Sequence, residues 1–219
     1  MRKNVLILLF CAFALGINAQ NEQPDKAFLM FLHGGYGLFP NKTAGLTTTS
    51  ADYVKKMGSG ASWNFQAYYR SKMFIVGAMY SGYNSKGSYL ASTEGAAELT
   101  SSDNILTTYV APQLGMNIPV SKVFHLGWNG GFGGMWLKNS SKVYEKPRVL
   151  KGSAFGYNLG LRGIFNLTEH LGLSAEVMAI GAATNKANVD YHNEVVTVHY
   201  VPSLKLNQLT FSLGLKISM

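Results

Sequence analysis

Few side chains in these 219 residues could do chemistry, and their spacing narrows them further. The histidines are His33, His125, His170, His192 and His199, and the one cysteine is Cys11. A nucleophilic hydroxyl needs a base beside it, and no such arrangement can be read from these positions. Asp190, His192, Glu194 and His199 carry the carboxylate and imidazole groups that bind divalent metals. Their spacing matches no tight site, so a solvated loop is expected, with no metal and no other cofactor. Glycines cluster at 34–37 and 130–134 but lack the Lys-Ser/Thr that follows in a phosphate loop. Two groupings remain. Arg162 and Glu176 flank a turn at 166–169 at similar distances, which predicts an ion pair between neighbouring strands. Between 138 and 152, Lys138, Lys142, Lys146, Arg148 and Lys151 face only one acid, Glu145.

The elements that must position these groups are read from alternation. Leu209, Phe211, Leu213, Leu215, Ile217 and Met219 alternate with Gln208, Thr210, Ser212, Gly214, Lys216 and Ser218, a strand with one apolar and one polar face. Phe155, Tyr157, Leu159, Leu161 and Phe165 alternate likewise with Gly156, Asn158, Gly160 and Arg162. Leu171, Leu173, Ala175 and Val177 do so with Gly172, Ser174 and Glu176. Segments near 63–70, 110–118 and 124–136 repeat the pattern. Those at 27–38 and 73–83 carry large apolar groups on both faces. Eight strands result, joined by short turns near 70–73, 118–122 and 166–169 and by long polar loops at 39–61, 84–104, 137–152 and 182–205. Ser50 to Met57, stopped by Gly58, predicts a short helix in the first loop. The run from Val195 to Val201 predicts that the last hairpin extends beyond the membrane, with Pro202 at a bulge or break.

The N-terminus reads as an address. Arg2 and Lys3 precede an apolar stretch from Val5 to Ile17, and Asn18-Ala19 closes a small-residue cleavage site. Residues 1–19 are expected to be a cleaved secretory signal, and 20–219 one barrel domain. A lipid-bearing Cys11 is the competing reading, disfavoured by Phe10 before it. Cleavage leaves no cysteine for a disulfide, a thiol nucleophile or a metal, and lowers the formal charge from +8 to +6. A basic chain that is secreted is not expected to bind nucleic acid.

Charge decides which face is outside. Arg70, Arg162, Glu176 and Lys216 share their face with Gly, Asn, Ser and Gln. Eight strands leave an interior just wide enough for side chains or one small ligand. Small polar residues fill that space better than Trp and Phe, whereas Trp63, Phe124, Trp136, Phe155 and Phe165 fall near strand ends, where membrane girdles belong. The expected fold is all-β, an eight-stranded antiparallel up-and-down transmembrane β-barrel with both termini periplasmic. A ten-stranded count, with the hairpin at 182–205 in the wall, stays open.

The chain resembles the small eight-stranded outer-membrane proteins of OmpA/OmpX type, particularly the Bacteroidota outer membrane beta-barrel families. The residues that carry the resemblance are the signal ending at Ala19-Gln20, Gly35-Tyr36-Gly37 in the first strand and the terminal Leu209-to-Met219 strand. That strand is similar to the signal such proteins present to the barrel-assembly machinery, except that it ends in Met219 and not in an aromatic residue. Small barrels of lipid A deacylase type place a serine two residues after a strand histidine. After His125 that position is Gly127. The expected role is structural or adhesive, with loops that meet an unidentified extracellular partner. Gln66, Arg70, Asn158, Arg162, Glu176 and Lys216 form a polar lumen plug in this reading. The five basic residues of 138–151 are expected either to lie beside outer-membrane lipid and phosphorylated lipopolysaccharide or to form an ordinary solvated loop. A small channel, a lipid-acting barrel enzyme and a soluble lipocalin-like barrel are the alternatives.

Overall fold

The computed structural model describes residues 26–39, 51–91, 99–143, 146–191 and 194–219. Among these residues nine strand segments and one short helix follow one another: β1 (Lys26–Leu38), α1 (Ala51–Met57), β2 (Ser59–Ser71), β3 (Phe74–Ala91), β4 (Leu99–Pro119), β5 (Phe124–Val143), β6 (Lys146–Asn166), β7 (Leu171–Tyr191), β8 (Glu194–Lys205) and β9 (Gln208–Ser218). All pairings are antiparallel; β1 to β8 each pair with their sequence neighbours, and β9 pairs with β7 and closes the ring on β1. β7 pairs with β9 through Ile180 and with β8 from Ala183 onward. β8 and β9 are therefore two parts of one eighth strand, and the ring has eight members. The expected signal segment lies outside the described residues.

Alternation is obeyed with the polar face inward. On β2, Asn64, Gln66 and Arg70 are buried while Trp63, Phe65 and Tyr69 are exposed. On β6 and β7, Asn158, Arg162, Ser174 and Glu176 are buried while Phe155, Leu159, Leu161, Leu173 and Val177 are exposed. A water-soluble barrel would have the reverse arrangement. Exposed aromatics form two bands: Phe28, Tyr69, Phe74 and Phe165 near the short turns, and Tyr36, Trp63, Tyr80, Trp136, Phe155 and Phe211 toward the opposite end. Phe155 and Phe165 are ten residues apart on one strand, about 33 Å along it and about 25 Å along the barrel axis once tilted, which is the height of an outer-membrane apolar band.

Much of three expected long loops is strand instead. Within the described residues, 84–91, 99–104, 137–143, 146–152, 182–191 and 194–205 continue the ladders of β3 to β8 past the upper aromatic band, the last of them as the hairpin extension that the run Val195–Val201 predicts. Their physical reason is hydrogen bonding without an apolar face: in water the ladder persists although neither side needs to be hydrophobic. Pro202 falls inside a bulge, since four residues of β8, Tyr200 to Ser203, stand against one of β7, Asn185, between the rungs Lys186–His199 and Thr184–Leu204. In the first loop, α1 ends where Gly58 donates its N–H back to the Val54 carbonyl.

Candidate functional site: a layered lumen and a basic rim

The lumen is filled in layers. Near the short turns lies an apolar layer of Ala27, Leu29, Phe31, Tyr68, Ile75 and Ile164. Toward the loop end a larger one packs Met79, Tyr83, Ile105, Tyr109, Met135 and Leu137 beneath Tyr53 and Met57 of α1. Between them runs a continuous polar network. Arg162 stands opposite Glu176 in the β6–β7 register, and its Nη2 lies 3.0 Å from Glu176 Oε1. Gln66 Nε2 donates to Glu176 Oε2 at 2.8 Å, and Asn64 Nδ2 donates to the same oxygen at 3.1 Å. Arg162 also donates to Gln66 Oε1 and, at 3.1 Å, to Asn129 Oδ1. Asn129, Gln113 and Asn158 then exchange amide bonds of 2.8–3.0 Å. Among the described residues Arg162 Nη1 makes no hydrogen bond, but the guanidinium lies 3.8 Å over the Phe31 ring, a cation–π contact. Inward glycines make the room: a Cβ at Gly160 would stand 2.7 Å from Asn129 Oδ1.

Of the six residues assigned to the plug by sequence, Gln66, Asn158, Arg162 and Glu176 join this network. Arg70 and Lys216 are buried apart from it, toward the short turns, where Lys216 Nζ donates to Asn166 Oδ1 at 3.1 Å. His125 lies within electrostatic reach of both. Sequence spacing missed His33. Its Nε2 is 2.7 Å from Ser174 Oγ and its Nδ1 is 2.8 Å from Asn64 Oδ1. That sequence of contacts matches nucleophile, base and orienting group in hydrolases. The three residues come from β1, β2 and β7, so only barrel closure brings them together. Each is no more than 4% exposed, with an apolar layer above and another below, so no substrate reaches Ser174 Oγ in this arrangement.

At the loop end, Asp103 holds the cap. Its carboxylate accepts from Asn139 Nδ2 at 2.8 Å, pairs with Arg148 at 3.9 Å and lies 3.1 Å from the Tyr53 hydroxyl. Burial, then the Asp103 charge, pushes the Tyr53 phenol well above its ordinary range, so it stays a donor. Arg148 corrects the grouping made by sequence: its Nε donates to Ser141 Oγ at 3.0 Å, so it braces the cap and does not face lipid. Lys138, Lys142, Lys146 and Lys151 are exposed. Lys138 pairs directly with Lys151, two rungs beyond the Trp136–Ser153 pair. Asp190, Glu194 and His199 lie in the β7–β8 hairpin, and His192 lies outside the described residues. Among the described residues no three His, Cys, Asp or Glu side chains gather as a metal site.

A closed antiparallel ring, apolar without and polar within, with aromatic bands about one bilayer apart, defines an integral outer-membrane β-barrel protein. The family model for the outer membrane protein beta-barrel domain matches residues 7–201, so the chain belongs to that family and resides in the outer membrane. Among solved structures it is similar to a major outer membrane protein from Thermus thermophilus, with 10% identity, 89% of this chain and 99% of that chain covered, and a TM-score of 0.63. Neisserial surface protein A (NspA) gives 12%, 87%, 96% and 0.51, and OprG from Pseudomonas aeruginosa gives 14%, 91%, 99% and 0.51. At such identities the likeness is one of fold. No curated protein sequence matches.

Proposed function

We propose that this barrel acts through its outer surface and loop end, as a structural and surface-binding protein, and that it neither catalyses a reaction nor conducts ions. Residues 1–19 direct its secretion, the barrel-assembly machinery inserts it, and its basic rim binds the phosphate groups of lipopolysaccharide. The observation that carries this reading is the Lys138–Lys151 pair. Like charges directly opposite on neighbouring strands destabilise a sheet, and these two stand just beyond Trp136 and Phe155, at the height of lipid headgroups. An anion between them reverses the sign of that interaction. Each lysine is expected to contribute about 1 kcal/mol toward an anionic surface.

The test compares the refolded chain in vesicles containing diphosphorylated lipid A with vesicles containing the dephosphorylated lipid. Higher thermal stability with phosphate is expected, and the difference should shrink in high salt and in the K138Q/K151Q double variant. Equal stability in both vesicle types would overturn the lipid reading.

A further inference from the structure

The short-turn end of the lumen gathers charge of one sign. Arg70 is the last residue but one of β2, His125 the second of β5 and Lys216 the last but two of β9. All three are buried on the inward face, and their charges act on one another. Among the described residues the buried acids are Glu176 and Asp103, and each is held by an arginine in another layer, Arg162 and Arg148. Asn166, at the end of β6, adjoins the group. Its Oδ1 accepts from Lys216 Nζ at 3.1 Å, while its Nδ2 is buried and makes no hydrogen bond among the described residues. A buried donor in that state costs free energy, and an anion beside Lys216 would satisfy it. The exposed Lys72 and Lys122 add positive field from the adjoining turns, where Glu169 is the one acid among the described turn residues.

We propose that the mouth at the short turns binds a dianionic phosphate, held by Arg70, Lys216 and the Asn166 amide. Charge and donor chemistry fix the ligand class. Arg70 and Lys216 bring two formal charges, which a dianion balances and chloride does not. A guanidinium fork, an ammonium and an amide N–H all donate, and a phosphate offers several acceptor oxygens to them at once. Tyr68, two residues above Arg70 on β2, and Phe31 belong to the apolar layer beyond, so the ion enters and leaves by one mouth and is not conducted. The site lies at the opposite end of the barrel from Lys138 and Lys151 and stands independently of their role.

The test follows NMR shifts of the Asn166 side-chain amide and the Lys216 ammonium in the full chain refolded in lipid nanodiscs, as inorganic phosphate replaces chloride at constant ionic strength. Saturable shifts at both groups are expected. Lys216→Met, read at Asn166, is expected to weaken phosphate binding by about tenfold or more. Asn166→Asp places a fixed carboxylate beside Lys216 and is expected to weaken it similarly, read at Lys216. The mobility difference between unboiled and boiled samples checks that both variants fold. K138Q/K151Q is expected to leave the shifts in place, which separates this site from the basic rim. Glycerol phosphate distinguishes the source: affinity equal to that of inorganic phosphate admits a phosphomonoester, and affinity about tenfold lower confines the site to the free ion. Glu22 and Asp25 lie outside the described residues and are the chain's own rivals for the same charge, so phosphate binding that emerges only in E22Q/D25N would overturn the proposal. Absent or unsaturable shifts, or an affinity unchanged by Lys216→Met, would overturn it as well.

Discussion

The Arg162–Glu176 pair is nearly sealed from water, at 1% and 0% side-chain exposure. Removing one partner strands a buried charge, which costs about 3–5 kcal/mol, whereas replacing both by apolar groups of similar size is often neutral. Arg162→Met is therefore expected to lower stability by about that amount, and adding Glu176→Leu is expected to restore most of it. Urea titration followed by the mobility difference between unboiled and boiled samples measures both. Double-variant stability no better than that of Arg162→Met alone would refute the charge argument. Ser174 is the companion case. Its hydrogen bond to His33 has hydrolase geometry but no access, so a fluorophosphonate is expected not to label it in the folded barrel. Covalent labelling at Ser174 would show that the lumen opens to substrates. Arg162 and Glu176 could be matched from sequence because they flank one short turn. His33 and Ser174 could not, because nothing local encodes which strands meet across a closed ring.

At the scale of elements, legibility followed the lipid. Between the aromatic bands the apolar face marks every strand, and the eight crossings can be counted from alternation. Beyond the bands the inward residues Ser85, Asp103, Asn139 and Ser141 are polar and still buried, so the ladder continues without a hydrophobic signal and reads as loop. The helix was legible because Gly58 stops it. Its docking was not, since Tyr53 reaches Asp103 across 50 residues. A hydrogen bond to a charged group contributes about 1.5–3 kcal/mol, so Tyr53→Phe is expected to loosen α1 by that amount. Limited proteolysis in the first loop, with the barrel otherwise intact, reads this out. The phenol is raised in the folded state, so the bond is fully present below the ordinary tyrosine range. It is lost only as the pH climbs through the higher folded value. Protease sensitivity of the wild-type loop should therefore rise only at strongly alkaline pH. A rise in the neutral range would mean that another group holds α1.

For the whole molecule, closure and filling are separate properties. The ring of eight strands removes every unpaired edge within the bilayer, but conduction depends on what stands in the lumen. Here three obstacles lie in series: the loop-end apolar layer under α1, the amide and ion-pair network, and the apolar layer around Phe31 and Ile75. Obstacles in series imply that removing one does not open a path, because each remaining layer is apolar and buried or closely hydrogen-bonded. Deleting α1 (residues 51–57) is accordingly expected to produce no stable single-channel steps in planar bilayers, although Met57 and Tyr53 leave the cap. Replacing Arg162, Glu176 and Gln66 together by alanine is also expected to stay silent, since Tyr109 and Met135 remain above and Phe31 below. Ion-sized steps in either variant would show that a single layer seals the barrel, and would favour a small channel held shut by that layer over a protein that works from its surface.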